Sequence, residues 1–100
     1  MTRKILVLDT SVLCCLLGVS GKETCGPTEN KWDKSRIVRL LSDEKNAIVV
    51  LPLATIIETG NHIAQAASRR FDSATEFCEK LKSVADGIIP WAAFSEQAEL

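Results

Sequence analysis

An α/β fold is predicted for this chain, a three-layer α/β/α arrangement around a short central parallel sheet, and three observations predict it. Two aliphatic runs, at 5–8 and 47–51, lack the polar alternation of half-exposed strands and read as strands covered on both faces. Each run hands over at once to a segment whose apolar residues suit a helix. Hydrophobic residues make up 46% of the 100 positions, enough for one core, so one domain spanning 1–100 is expected.

The elements follow in order. Ile5, Leu6, Val7 and Leu8 form the first strand, and Asp9, Thr10 and Ser11 open a short apolar helix over 11–17 that Gly18 and Gly21 stop. Residues 19–30 contain Gly21, Gly26 and Pro27 among polar residues and read as a loop. Positions 32–41 have an amphipathic pattern, with Arg36 and Arg39 outward, and the polar run 42–46 ends it. Residues 47–51 form the second strand, closed by Pro52. Leu53, Ile56, Ile57, Gly60, Ile63, Ala64 and Ala67 mark the next helix, with Pro52 near its first turn. A further amphipathic helix covers 72–85, with Asp72 and Ser73 near its start, and Gly87 stops it. Ile88, Ile89 and Pro90 begin a third short strand, and one more helix opens after Ser95. This β-α-α-β-α-α-β-α order suits a parallel sheet with right-handed crossovers.

Composition excludes several classes of function. Twelve basic and thirteen acidic side chains give a net charge of -1, so there is no strong whole-molecule field and nucleic-acid binding needs a local basic patch. No apolar stretch approaches the roughly 20 residues that span a membrane, and Asp9 interrupts the signal-like apolar run near the start. A soluble, cytoplasmic protein without a membrane partner is expected. The four cysteines, Cys14, Cys15, Cys25 and Cys78, lack paired spacing and read as small hydrophobes rather than as a disulfide framework or zinc ligands.

The chemistry centres on two carboxylates. Asp9 stands at the carboxyl end of the first strand, where α/β sheets bind ligands. Glu58 lies about two turns into the helix that leaves the second strand. If the strands are neighbours, both acids converge on one crevice; two carboxylates forced together repel unless a cation intervenes. Magnesium suits one or two carboxylates plus substrate phosphate, and such an ion generates a nucleophile from bound water. Each residue also has a structural reading: Asp9 as a helix cap, Thr10 and Ser11 as donors to backbone or to the acid, and His62 as a solvated partner of Glu58 at i,i+4. Lys31, Lys34, Arg36 and Arg39, or Arg69 and Arg70, are candidate basic edges, although such faces are usually solvated. Trp32 and Trp91 read as core or interface residues.

The segment Asp9-Thr10-Ser11-Val12-Leu13 after Ile5–Leu8, followed by Leu51-Pro52 and then Glu58, resembles the PIN-domain ribonuclease family, with VapC-type toxins the nearest group. The resemblance implies a metal-dependent endoribonuclease that hydrolyses RNA phosphodiester bonds with Mg2+ or Mn2+. Asp9 and Glu58 would be its catalytic and metal-binding acids, with Thr10, Ser11 and His62 as supporting or substrate-contacting groups. It further implies an antitoxin protein as regulator; a homodimer is a separate expectation, through an apolar helix face. That family uses two later aspartates as well. In this sequence Asp86, Glu96 and Glu99 are the nearest acids, so the expectation is a PIN-like domain shortened at its C-terminal side. The alternative is a catalytically incomplete PIN-like interaction module. Phosphatase chemistry on Asp9 fails because Ser11 stands where an Asp-x-Asp motif needs its second aspartate. Gly18 and Gly21 lack the companions of a phosphate-binding loop.

Overall fold

The computed structural model describes residues 4–44 and 46–97, the side chain of Glu96 excepted. Along the chain these form β1 (Lys4–Val7), α1 (Thr10–Leu16), β2 (Thr24–Cys25), β3 (Trp32–Asp33), α2 (Lys34–Asp43), β4 (Ala47–Val50), α3 (Leu53–Gln65), α4 (Arg70–Ala85) and α5 (Phe94–Gln97). A 3-10 turn occupies Thr28–Asn30. The architecture is mixed α/β, with β1 and β4 paired in parallel and Lys4 to Val7 opposite Ala47 to Val50. A separate two-residue antiparallel pair joins β2 to β3.

Local chemistry fixes the helix ends. The Asp9 carboxylate accepts from the Val12 N–H at 2.9 Å and caps α1, satisfying a donor that the helix leaves unpaired. At its other end the Val19 N–H donates to the Cys14 carbonyl and the Gly18 N–H to the Cys15 carbonyl. This six-to-one, five-to-two closure requires a left-handed residue, which Gly18 supplies at φ 65°. Gly87, at φ 64°, closes α4 in the same way through the Ile88 N–H to Ser83 and its own N–H to Val84. Both glycine stops fall where the sequence places them.

One core forms on one face of the sheet. Leu8, Val49 and Leu51 pack with Leu13, Leu16 and Leu17 of the α1 region, and Ile37, Ile63, Phe77 and Val84 extend the cluster through α2, α3 and α4. The helices pack in series, α2 and α3 against α1, and α4 against α3. Among the described residues the expected second helical layer does not cover the other face of β1. Successive strand residues point to opposite faces, and Ile5 and Val7 on that face are 46% and 61% exposed. Four consecutive aliphatics therefore do not mark a strand buried on both sides here. β1 is an edge strand among the described residues, and only its Leu6 and Leu8 face meets the core.

The third strand also differs from expectation. Residues 88–90 turn, leaving Ile88 and Ile89 largely exposed. The backbone at Ile88 is already used, its N–H by the α4 closure and its carbonyl by the Trp91 N–H, and Pro90 has no N–H to offer. The chain meets the sheet only at the end of this segment, where the Pro90 carbonyl accepts from the Val49 N–H at 2.7 Å and the Ala92 N–H donates to the Val49 carbonyl at 2.9 Å, a single parallel bridge that sets Trp91 beside Val49. The helix expected over 32–41 begins at Lys34 instead, because the Trp32–Asp33 backbone pairs with β2 and Asp33 caps α2 through the Arg36 N–H. α4 starts at Arg70, two residues early, after Arg69 adopts φ 57° and donates to the Gly18 carbonyl at 3.0 Å.

Candidate functional site

Parallel pairing of β1 with β4 sends both chains out of the sheet at the same edge. α1 therefore begins beside α3, and the two helices pack together. A buried hydrogen bond locks this arrangement. The Thr55 hydroxyl, in the first turn of α3, donates to the Leu8 carbonyl at 3.1 Å, one residue before Asp9. Glu58 follows Thr55 by three positions and so lies nearly above it on the same helix face. There its carboxylate accepts from the Thr10 hydroxyl at 2.8 Å.

The two acids thus stand on either side of the start of α1, each held by the hydroxyl of a neighbouring residue. Ser11 donates to Asp9 at 3.0 Å, on the same oxygen that caps the helix. Asp9 and Glu58 are both exposed, so neither carboxylate suffers a large desolvation cost. They do not open into one cavity. Asp9 borders a cavity of about 280 Å³ walled by Val12, Trp32, Ile37 and Leu40. Glu58 borders another, of about 340 Å³, with Thr10, Cys14, Lys22, Thr24 and His62. Ser11, Cys25 and Gly26 are common to both.

Of the residues singled out in the sequence, the structure gathers Asp9, Thr10, Ser11, Glu58 and His62 around the first turn of α1. His62 is half-buried and shares the Glu58 cavity. Asp86 does not join them; it is the C-cap of α4 and borders neither cavity. Glu99 lies outside the described residues, as does the side chain of Glu96. Among the described residues no group of three or more His, Cys, Asp or Glu side chains is placed to share a metal ion.

Three of the six candidate basic residues are committed within the protein. Arg36 donates to the Asn30 side chain and the Lys31 carbonyl and lies 3.8 Å over the Trp32 ring. Lys34 pairs with Glu76 and Arg69 with Asp72. Lys22 and Thr55 escaped the sequence reading. Nothing local marks either one, since Thr55 gains its meaning from a carbonyl 47 residues away.

Two thiols of α1 are held above the ordinary cysteine value. Burial pushes the Cys14 thiol up, with the Thr59 hydroxyl and the Lys22 ammonium acting in the opposite sense. Cys15 is pushed up to about 11, first by burial and then by the adjacent Cys25. Its Sγ donates to the Glu23 carbonyl at 3.1 Å, which ties α1 to the strand-bearing loop. Comparison with known proteins gives no match to any family model, to any curated protein or to any solved structure.

Two outcomes follow from this geometry. Thr55→Val leaves the Leu8 carbonyl buried without its donor and is expected to lower stability by about 1–3 kcal/mol in urea denaturation; an unchanged midpoint contradicts the locking role. The folded state holds the Cys15 proton more tightly than the unfolded state, whose thiol titrates near 9.0. The stability this contributes is complete below pH 9.0 and is lost as the pH rises toward 11. Cys15→Ala should therefore flatten the fall of stability across that interval, and an identical slope in both proteins would refute it.

Proposed function

We propose that this chain is a PIN-like endoribonuclease domain that hydrolyses RNA phosphodiester bonds with Mg2+ or Mn2+, with Asp9 and Glu58 as its acids. The observation that supports this most is the 2.8 Å bond from Thr10 to Glu58, which ties the helix leaving the second strand to the residue beside Asp9. The donor set fits a hard cation: exposed carboxylates and hydroxyl oxygens, with no soft ligand required. Asp9 and Glu58 would hold the ion, and a magnesium ion with few protein ligands completes its shell with water and substrate phosphate. When bound it supplies an activated water and stabilises charge on the phosphate oxygens.

The chain's own residues orient this chemistry. Ser11 and the Val12 N–H fix one Asp9 oxygen, leaving the other without a hydrogen bond from any described residue. Thr10 does the same for Glu58. An antitoxin protein as regulator, a homodimer as assembly and a cytoplasmic setting belong to the same proposal. No helix of the described residues is long and apolar enough to cross a membrane.

A second reading, a PIN-like interaction module without catalysis, is favoured by a different observation. Leu53, Ile57 and Phe71 on the α3–α4 hairpin are 71%, 56% and 82% exposed, and exposed apolar patches mark partner surfaces. Under that reading the wild-type protein cleaves no RNA with either ion, and titration with magnesium gives no heat that depends on Glu58.

Asp9→Asn separates cap from charge, because asparagine caps a helix about as well as aspartate. It is expected to lower magnesium-dependent RNA cleavage by roughly 100-fold or more, since several kcal/mol of charge stabilisation are at stake, while the thermal midpoint stays put. Undiminished cleavage by this variant contradicts the assignment.

A further inference from the structure

The cavity beside Glu58 is lined by two kinds of polar group. Two hydroxyls serve carboxylates, Thr10 donating to Glu58 and Ser11 to Asp9. Lys22, Thr24 and His62 line it as well, and their side chains make no hydrogen bond or salt bridge with another described residue. The ammonium has three donors and no acceptor, and the threonine hydroxyl adds another donor. Such a wall is built to receive anionic oxygens.

Lys22 borders the cavity from a turn that its backbone anchors. Its N–H donates to the carbonyl of the fully buried Val19 at 2.8 Å, just after the Gly18 closure of α1. The position of the residue is therefore set even though its side chain is exposed. Its charge acts on the Cys14 thiol, which borders the same cavity. The Glu58 carboxylate and the Lys22 ammonium thus border one space of about 340 Å³.

We propose that Lys22, Thr24 and His62 bind a backbone phosphate of an RNA strand, next to the phosphodiester held at Asp9 and Glu58. The identity of the ligand as RNA rests on the nuclease reading; the anion-binding chemistry of the wall does not. Lys22 is a positioning residue here, holding the strand in register. It makes one phosphate contact and takes no part in bond cleavage.

The test uses Asp9→Asn protein, so that RNA stays intact, with chelator present and a fluorescein-labelled single-stranded oligoribonucleotide as probe. Anisotropy titrations across a salt series should show that adding Lys22→Met weakens binding and lowers the slope of log affinity against log salt by about 0.7, the loss of one phosphate contact. Lys22→Arg should keep both. In the protein with Asp9 intact, Lys22→Met should raise KM for RNA and leave kcat nearly unchanged.

An unchanged salt slope together with an unchanged KM overturns the proposal. So does inorganic phosphate binding as tightly as the oligonucleotide in a Lys22-dependent way, which would make the wall a receptor for the free anion. The two readings fail separately. If wild-type protein cleaves no RNA yet Lys22-dependent oligonucleotide binding persists, the nuclease reading falls and the phosphate wall stands. If RNA is cleaved and Lys22→Met changes nothing, the reverse holds.

Discussion

The parallel pairing of β1 with β4 is the constraint from which the rest follows. In a parallel pair both strands end at the same edge, so Leu8-Asp9 and Leu51-Pro52 leave the sheet side by side. The core then decides the direction of departure. Leu13 and Leu17 in the α1 region must reach Val49 and Leu51, which lays α1 over the sheet and puts Asp9 at its first turn. The Thr55 bond to the Leu8 carbonyl adds the last restriction, fixing how far along α3 the chain passes the end of β1. Glu58 meets Thr10 because of that spacing, not because the two carboxylates attract.

Where a feature is set by chemistry within a few residues, the sequence announces it. Gly18 and Gly87 stop helices because the closing residue must be left-handed. Asp9 caps and Pro52 precedes α3 for equally local reasons. Features set by distant contacts stay silent. A four-residue aliphatic run reads alike in a central and an edge strand, so the exposure of Ile5 and Val7 was invisible. Of 88–90 only the Pro90 carbonyl reaches the sheet, because the α4 closure takes the Ile88 N–H and the turn to Trp91 takes its carbonyl. The candidate site was legible as residue types, Asp9 and Glu58, and their division between two adjoining cavities was not.

The electrostatics of the site differ sharply from those beneath it. Each acid is exposed and receives a hydroxyl donor. One layer down, Cys14 and Cys15 are fully buried and hold their protons. Carboxylate oxygens thus lie at the rim and apolar packing lies below. The Lys22 side chain, which pairs with no other described residue, borders the same cavity as Glu58.

The account depends on Asp9 and Glu58 acting as one unit across the first turn of α1. Binding of Mn2+, followed by paramagnetic resonance of the free ion, measures this directly in wild type, Asp9→Asn, Glu58→Gln and the double variant. A shared site predicts that either single change removes most of the affinity and that the second removes little more. Losses that simply add, or Mn2+ binding that ignores both substitutions, would show that the two carboxylates serve separate ends.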